Sequence, residues 1–362
     1  LDTEKEIIKS VKNKKPKRIR KALRIFGLTM FGLLIAGLFF PTWTPAIKGE
    51  NSVSIFEKVS INGSKHQLMI RGVDKNNPII IFVHGGPGCS EIPYVRKYQD
   101  NLEEKFTIVH YDQRGTGKSY SFFQDYSELS PDLLVDDLIE LTKYIQERFG
   151  KDKVLLAGHS FGSYLAMQAA AKAPENYIAY IGIGQVSNLP ESELESLNYC
   201  VEEAAKVGNK EDIEKLQKIR SDVENGNNFV PRMYIQKYGG GARLIDESGD
   251  YLDGYITNRE YNLLDIIRFN LGVKKSEAMI PGLLKKPLTS LVTKLEIPCY
   301  FHMGQYDYKT SAKAAKNYFD SIEAPEKEFI LYLESAHYPQ FEEEEKFDQW
   351  LVEKFSDSEI KH

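Results

Sequence analysis

From residue 50 onward, short apolar runs alternate with polar, turn-rich connections. Ser54 to Val59 and Gln67 to Val73 read as a hairpin around Asn62-Gly63, because Asn-Gly tolerates the positive φ of a two-residue turn. Pro78 to Val83, Phe106 to Tyr111, Val154 to Ala157 and Tyr177 to Ile183 have the length and apolar content of buried strands. Leu133 to Phe149 repeats its apolar residues at helical spacing and stops at Gly150. Ser163 to Ala171 is rich in small residues and reads as another helix. Residues 188–290 break the alternation. They are charged and rich in Tyr and Asn, with helical spacing in Glu191 to Val207 and Glu211 to Glu224 and a glycine loop at Gly239-Gly240-Gly241. Strand and helix patterns then resume at Ile297 to Met303, Ser311 to Ile322, Glu328 to Leu333 and Phe341 to Phe355. This order predicts an α/β fold with a mostly parallel sheet covered by helices, its core at 50–187 and 291–356, and an inserted unit at 188–290.

The first fifty residues follow another pattern. Residues 1–24 hold ten Lys/Arg against three Asp/Glu. Ile25 to Ile47 then contains no charged residue over 23 positions. A bilayer core needs about 20 apolar residues, and basic residues stay on the cytoplasmic side. The expectation is a basic cytoplasmic segment at 1–24 and a signal anchor at 25–47, with Trp43 at the interface and the body outside. The alternative is a secretory signal cleaved near Thr44-Pro45-Ala46, which would release the body.

Charge sharpens this division. The chain carries a net −5 over 362 residues, so the body beyond residue 24 carries −12. An acidic body excludes nucleic acid as an expected partner, because phosphate binding needs a basic face. Cys89, Cys200 and Cys299 are odd in number and widely spaced, which suggests neither a disulfide framework nor a metal site. No cofactor is expected.

Candidate chemistry centres on Gly158-His159-Ser160-Phe161-Gly162, between a strand and a helix. G-x-S-x-G in that setting is a nucleophile elbow, which presents a serine hydroxyl on a strained turn for acyl transfer. The base and acid of such a site follow the serine in the order Ser, Asp/Glu, His. His66, His84, His110 and His159 precede Ser160, His362 ends the chain, and His302 lies inside a strand pattern. His337, after a predicted strand, is the candidate base. Asp307, after the strand before it, is the candidate acid, with Glu334 as the alternative. The oxyanion donors are expected to be the backbone N–H groups of Phe161 and of Gly86, in the glycine loop His84-Gly85-Gly86-Pro87-Gly88. Asp112 to Ser119 ends in Gly-Lys-Ser like a phosphate loop, but Asp112 occupies the first glycine position of that motif, so it reads as a structural loop.

HGGPG at 84–88, DQRGTGKS at 112–119 and GHSFGS at 158–163 occur in that order. Together they resemble the α/β-hydrolase superfamily, and within it the proline iminopeptidase family of serine peptidases. The resemblance covers roughly 50–187 and 295–355. It implies an eight-stranded sheet with a helical cap after the sixth strand, here 188–290. It also implies a triad of Ser160, Asp307 and His337, and cap glutamates that hold the substrate's free amino terminus. Glu191, Glu193, Glu195, Glu202 and Glu203 are the acids available for that role. The elbow departs from the family's common GGSWGS. Three readings follow: an exported or anchored hydrolase releasing an N-terminal residue, proline included, from short peptides; a carboxylesterase or related acyl hydrolase on the same machinery; and a catalytically silent, tethered binding protein.

Overall fold

The computed structural model describes residues 2–356, with side chains from Arg18 onward. His362 lies outside the described residues. Eight strands form one sheet: β1 (Val53–Ile61), β2 (Ser64–Gly72), β3 (Ile79–Val83), β4 (Thr107–Tyr111), β5 (Val154–His159), β6 (Tyr177–Ile183), β7 (Cys299–Gly304) and β8 (Lys327–Tyr332). Their spatial order is β1-β2-β4-β3-β5-β6-β7-β8. Only β1–β2 and β2–β4 pair antiparallel; every other neighbour is parallel. The first hairpin turns at Asn62 (φ 45°) and Gly63 (φ 74°).

Parallel central strands are buried on both faces, and β3 shows this residue by residue. Ile79, Ile81 and Val83 join the core beneath the helices Pro131–Phe149 and Phe161–Lys172. Ile80 and Phe82 point to the opposite core, with Phe347 and Leu351 of the C-terminal helix Glu344–Phe355. Side chains alternate across a strand, so one five-residue apolar run supplies two cores.

After β6 the chain leaves the sheet and returns only at β7. The intervening residues form helices that include Leu189–Lys206, Lys210–Glu224, Arg232–Lys237, Glu247–Thr257, Leu263–Ser276 and Ile280–Lys285. Asn188 caps the first of these through Glu191 N, and Asn262 forms a capping box with Asp265.

At the N-terminus, one helix runs from Asp2 to Leu38. Its segment Arg18–Leu38 is long and apolar enough to cross a membrane, with mean hydropathy 1.6 and none of it buried in the protein. The apolar helix has other bounds than the expected 25–47. The helix continues unbroken back into the basic segment, and it stops at Leu38 because Pro41 and Pro45 cannot continue it. Residues 39–47 are instead a strap laid across the body. Trp43 N donates to Arg259 O (3.0 Å), Asn262 Nδ2 to Phe40 O (2.9 Å), Lys118 Nζ to Thr42 Oγ1 (2.9 Å) and Arg71 Nη1 to Thr44 Oγ1 (2.8 Å). Trp43 therefore packs beside the body, with the Arg259 guanidinium 5.7 Å from its ring.

Candidate active site

Ser160 stands between the last residue of β5 and the first turn of the helix Phe161–Lys172, with φ 54° and ψ −125°. A non-glycine residue at positive φ is strained and persists only where its surroundings over-determine it. The flanking glycines supply that constraint. A Cβ on Gly162 would lie 1.9 Å from Val83 O, and one on Gly158 would lie 2.7 Å from Gly162 O. No side chain fits at either position, so strand and helix close around the serine.

His337 follows β8 and is buried. Its Nδ1 donates to Asp307 Oδ2 at 2.9 Å. Asp307 follows β7 and is fixed from behind: its Oδ1 accepts Lys309 N (2.9 Å) and Thr310 N (3.0 Å), and its Oδ2 accepts Thr310 Oγ1 (2.8 Å). Burial alone would raise the Asp307 carboxyl. The adjacent His337 and these hydrogen bonds outweigh it and hold the group below the usual aspartate value. Burial lowers the His337 imidazole to about 4, against the upward pull of Asp307. The ring is therefore neutral at ordinary pH, as a proton acceptor must be. Glu334 is exposed, and His302 is buried elsewhere with its Nδ1 on Tyr332 OH (2.8 Å), so neither competes for these positions.

Ser160 and His337 line one cavity of about 700 Å³ under the helical insertion. Gly86, at φ 121°, lines the same cavity beside Phe161. A Cβ at Gly86 would meet Gly88 N at 2.4 Å, and one at Gly85 would meet Ser160 Cβ at 2.9 Å, so the glycine loop runs tight against Ser160. His84 and Gln113 hold that loop: Gln113 Nε2 donates to His84 O (2.8 Å) and Gln113 N to His84 Nε2 (3.2 Å).

The stretch 112–119 is structural. Buried Asp112 accepts Ser90 Oγ (2.5 Å), Lys118 N (2.6 Å) and Tyr261 OH (2.7 Å). Arg114 makes a two-pronged pair with Asp137, both contacts at 2.7 Å, and Lys118 pairs with Asp265 of the insertion. These bonds tie the loop to sheet, helix and cap.

The expected substrate-binding acids are corrected by the structure. Glu191 and Glu195 bond Asn317 and Lys313, Glu203 pairs with Lys206 on its own helix, and Glu202 is exposed. None of the four lines the cavity. The helix Leu189–Lys206 buries Leu189, Ser192, Glu193, Ser196 and Leu197, which turns those glutamates away. Glu193 is fully buried beneath the cavity wall, where it holds Arg232 at 2.6 and 3.1 Å.

Two other carboxylates do line the cavity, Glu91 and Glu247. Glu91 lies three residues past the HGGPG loop, and its Oε1 is 2.6 Å from His159 Nδ1. The other nitrogen of His159 reaches His337 O at 3.1 Å. Glu247 opens the helix Glu247–Thr257. Its Oε2 accepts Lys309 Nζ (2.7 Å), and its Oε1 accepts Tyr338 OH. Burial would raise the Glu247 carboxyl, but Lys309 and Tyr338 hold it below the usual glutamate value. The sequence contains no local signal for Glu247. It follows a loop in the insertion, and only the fold brings it beside His337's neighbours. Among the described residues, no cluster of three His, Cys, Asp or Glu side chains could hold a metal, and all three cysteines are free.

An eight-stranded sheet of this order, with a strained serine after β5 and a helical insertion after β6, defines an α/β-hydrolase. A family model for the alpha/beta hydrolase fold matches residues 78–344, and the chain belongs to that family. It is 33% identical to the probable aminopeptidase YbaC of Bacillus subtilis (strain 168) over 314 residues, covering 84% of this chain and 97% of that protein. It is 24% identical to a proline iminopeptidase of Saccharolobus solfataricus over 290 residues, covering 78% of this chain and 86% of the other. Among solved structures, the proline iminopeptidase of Mycobacterium smegmatis superposes with a TM-score of 0.62 at 16% identity, over 83% of this chain and 97% of that one. That last likeness concerns the fold.

Proposed function

We propose that this chain is a membrane-anchored serine aminopeptidase that acts through an acyl-enzyme. The reading rests on one observation above all: the Asp307–His337 hydrogen bond faces the same cavity as Ser160 on its strained elbow. Ser160 Oγ attacks the carbonyl carbon of the substrate's first residue. His337 Nε2 accepts the hydroxyl proton, while Asp307 holds the imidazole and stabilises its charged form. The N–H groups of Phe161 and Gly86 take the developing oxyanion. His337 then gives its proton to the leaving amine. Water, deprotonated by the same ring, releases the acyl group from Ser160. This complete arrangement disfavours a silent binding protein.

Selection of a free amino terminus falls to the carboxylates lining the cavity. Glu247, positioned by Lys309 and Tyr338, offers counter-charge to an α-ammonium, with Glu91 on the core side. The insertion 188–290 acts as a lid that limits substrate length, so short peptides are the expected substrates. The helix Asp2–Leu38 anchors the chain, its basic end cytoplasmic and the hydrolase body outside.

A carboxylesterase is the second reading, favoured by the apolar side of the cavity, where Pro87, Tyr94, Val186, Leu189, Phe229 and Leu283 lie. The deciding experiment compares prolyl and alanyl anilides with their N-blocked forms and with short nitrophenyl esters. A preference for free-amine anilides supports the aminopeptidase, and equal or better turnover of N-blocked substrates and esters overturns it. A fluorophosphonate probe is expected to label the wild type and not Ser160→Ala; equal labelling removes Ser160 as nucleophile.

A further inference from the structure

Away from the active site, a second cavity of about 290 Å³ opens beside the strap. Four cations line it, Lys58, Lys65, Lys118 and Arg268, and no carboxylate does. Behind the wall, Asp265 pairs with Lys118 and with Arg268 (2.7 Å). Two carboxylates behind the wall, Asp265 and Asp112, act on four cations and leave an excess of positive charge on a body that is acidic overall. Donors remain available. Among the described residues, Arg268 Nε has no hydrogen-bond partner, Lys65 is exposed and makes no ion pair, and Lys58 Nζ is held only by Lys118 O (2.6 Å). Partial shielding from water and the neighbouring Arg268 and Lys118 charges lower the Lys58 pKa, as expected where positive charge is incompletely balanced.

The surroundings of this cavity are apolar and aromatic. Phe122 and Phe123 line it, and Phe123 is 99% exposed. Arg268 lies 5.7 Å from the Phe122 ring. On the helix that carries Arg268, exposed Leu263, Ile267 and Leu271 recur every fourth residue and so form one stripe. That stripe meets the anchor directly, since a Cβ on Gly37 would lie 2.5 Å from Leu263 Cδ1.

Depth follows from chain length. Thr42, bonded to Lys118 on the cavity wall, is only four residues past the end of the helix at Leu38. Four extended residues span at most about 14 Å. A headgroup layer adds roughly 5–8 Å on each side of the apolar core. The cavity therefore opens at or near headgroup level if the helix spans the bilayer. From these placements we infer that the Lys58–Lys65–Lys118–Arg268 cavity binds the phosphate of an anionic phospholipid headgroup, while Phe122, Phe123 and the Leu263 stripe rest in the interface. Guanidinium and ammonium groups suit a phosphate, and exposed aromatics suit the interface. The inference rests on the membrane-anchored reading above. Its consequence is orientation: the lid helix Leu263–Ser276 is held against the bilayer beside the anchor.

The test uses the full chain in neutral detergent, titrated with phosphatidylglycerol, phosphatidylcholine or inorganic phosphate and followed by native mass spectrometry. One phosphatidylglycerol retained per chain is expected, with phosphatidylcholine about tenfold weaker. Lys65→Glu and Arg268→Gln are each expected to weaken phosphatidylglycerol retention by about tenfold. Lys65 is exposed and makes no ion pair among the described residues, so its reversal leaves the fold intact and keeps the result readable. Unchanged retention in both variants overturns the site. Displacement of the lipid by millimolar inorganic phosphate overturns the headgroup assignment in favour of a free-anion site. The anchor is tested separately by carbonate extraction from phosphatidylcholine vesicles: an extracted chain refutes anchoring, whatever the lipid titration shows.

Discussion

Ser160, held at φ 54° after β5, and His337, bonded to Asp307 at 2.9 Å, meet across a cavity that also contains Glu247 and Glu91. Each residue has a separable expected effect. Asp307→Asn is expected to lower kcat by about 10⁴, because the imidazole loses its orienting acceptor; a fall of less than tenfold would place the orienting acid elsewhere. Glu247→Gln is expected to raise KM for free-amine anilides by about tenfold or more while leaving N-blocked esters nearly unchanged, since only the former place a charge beside it. A parallel loss on both substrate types would make Glu247 a structural residue. The pH profile follows from the buried ring. With its pKa lowered to about 4, His337 is neutral across the weakly acidic range, so kcat/KM is expected to hold until the pH approaches about 4. For anilides it is expected to fall again above about 8, as the α-ammonium loses its proton. Esters, having no such group, should keep only the acidic limb.

At the scale of elements, the loops around the candidate site are held by ties lying outside it. Arg114 and Asp137 pair in a nearly dry setting, at 9% and 2% side-chain exposure, and join the loop after β4 to the helix Pro131–Phe149. Removing one partner strands the other charge. Arg114→Met is therefore expected to cost about 3–5 kcal/mol of stability in denaturant titration, with labelling of Ser160 retained in the folded fraction. A cost below about 1 kcal/mol would mean that the pair is exposed to water in solution. This loop was legible in the sequence as a structural one, because Asp112 sits where a phosphate loop needs glycine. The bonds from Asp112 to Tyr261 and from Lys118 to Asp265 were not legible, because they cross about 150 residues of chain.

The molecule as a whole buries several histidines in neutral form. Desolvation lowers His84, His110 and His337 to about 4 and His302 to about 3. An unfolded histidine titrates near 6.5, so below that pH the unfolded chain binds protons that the native chain refuses. Stability is thus complete above about pH 6.5 and declines as the pH falls toward 4. Thermal melts between pH 7 and pH 4 should show Tm falling through this window, and a flat Tm would contradict the neutral burial of these rings. The strap at 39–47 belongs to this scale too. It joins the N-terminal helix to Arg71 and Lys118 of the core and to Arg259 and Asn262 of the insertion, so helix, sheet and insertion share one junction.

By itself, the sequence determined the alternation of strand and helix, the elbow glycines, the order of Ser160, Asp307 and His337, and the basic-then-apolar N-terminus. These are local or ordinal properties: periodicity, a short motif and succession along the chain carry them. Only the tertiary structure decided which carboxylates reach the cavity. Glu191, Glu195, Glu202 and Glu203 look alike in sequence, yet the helix Leu189–Lys206 buries its other face and turns them outward. Glu247, at the start of a helix in the insertion, and Glu91, after the glycine loop, reach the cavity through contacts with Lys309, Tyr338 and His159. The course of the chain after the N-terminal helix was likewise a tertiary matter. The uncharged run read as continuing through Pro41 and Pro45 to Ile47, whereas donors on the folded body hold residues 39–47 across it.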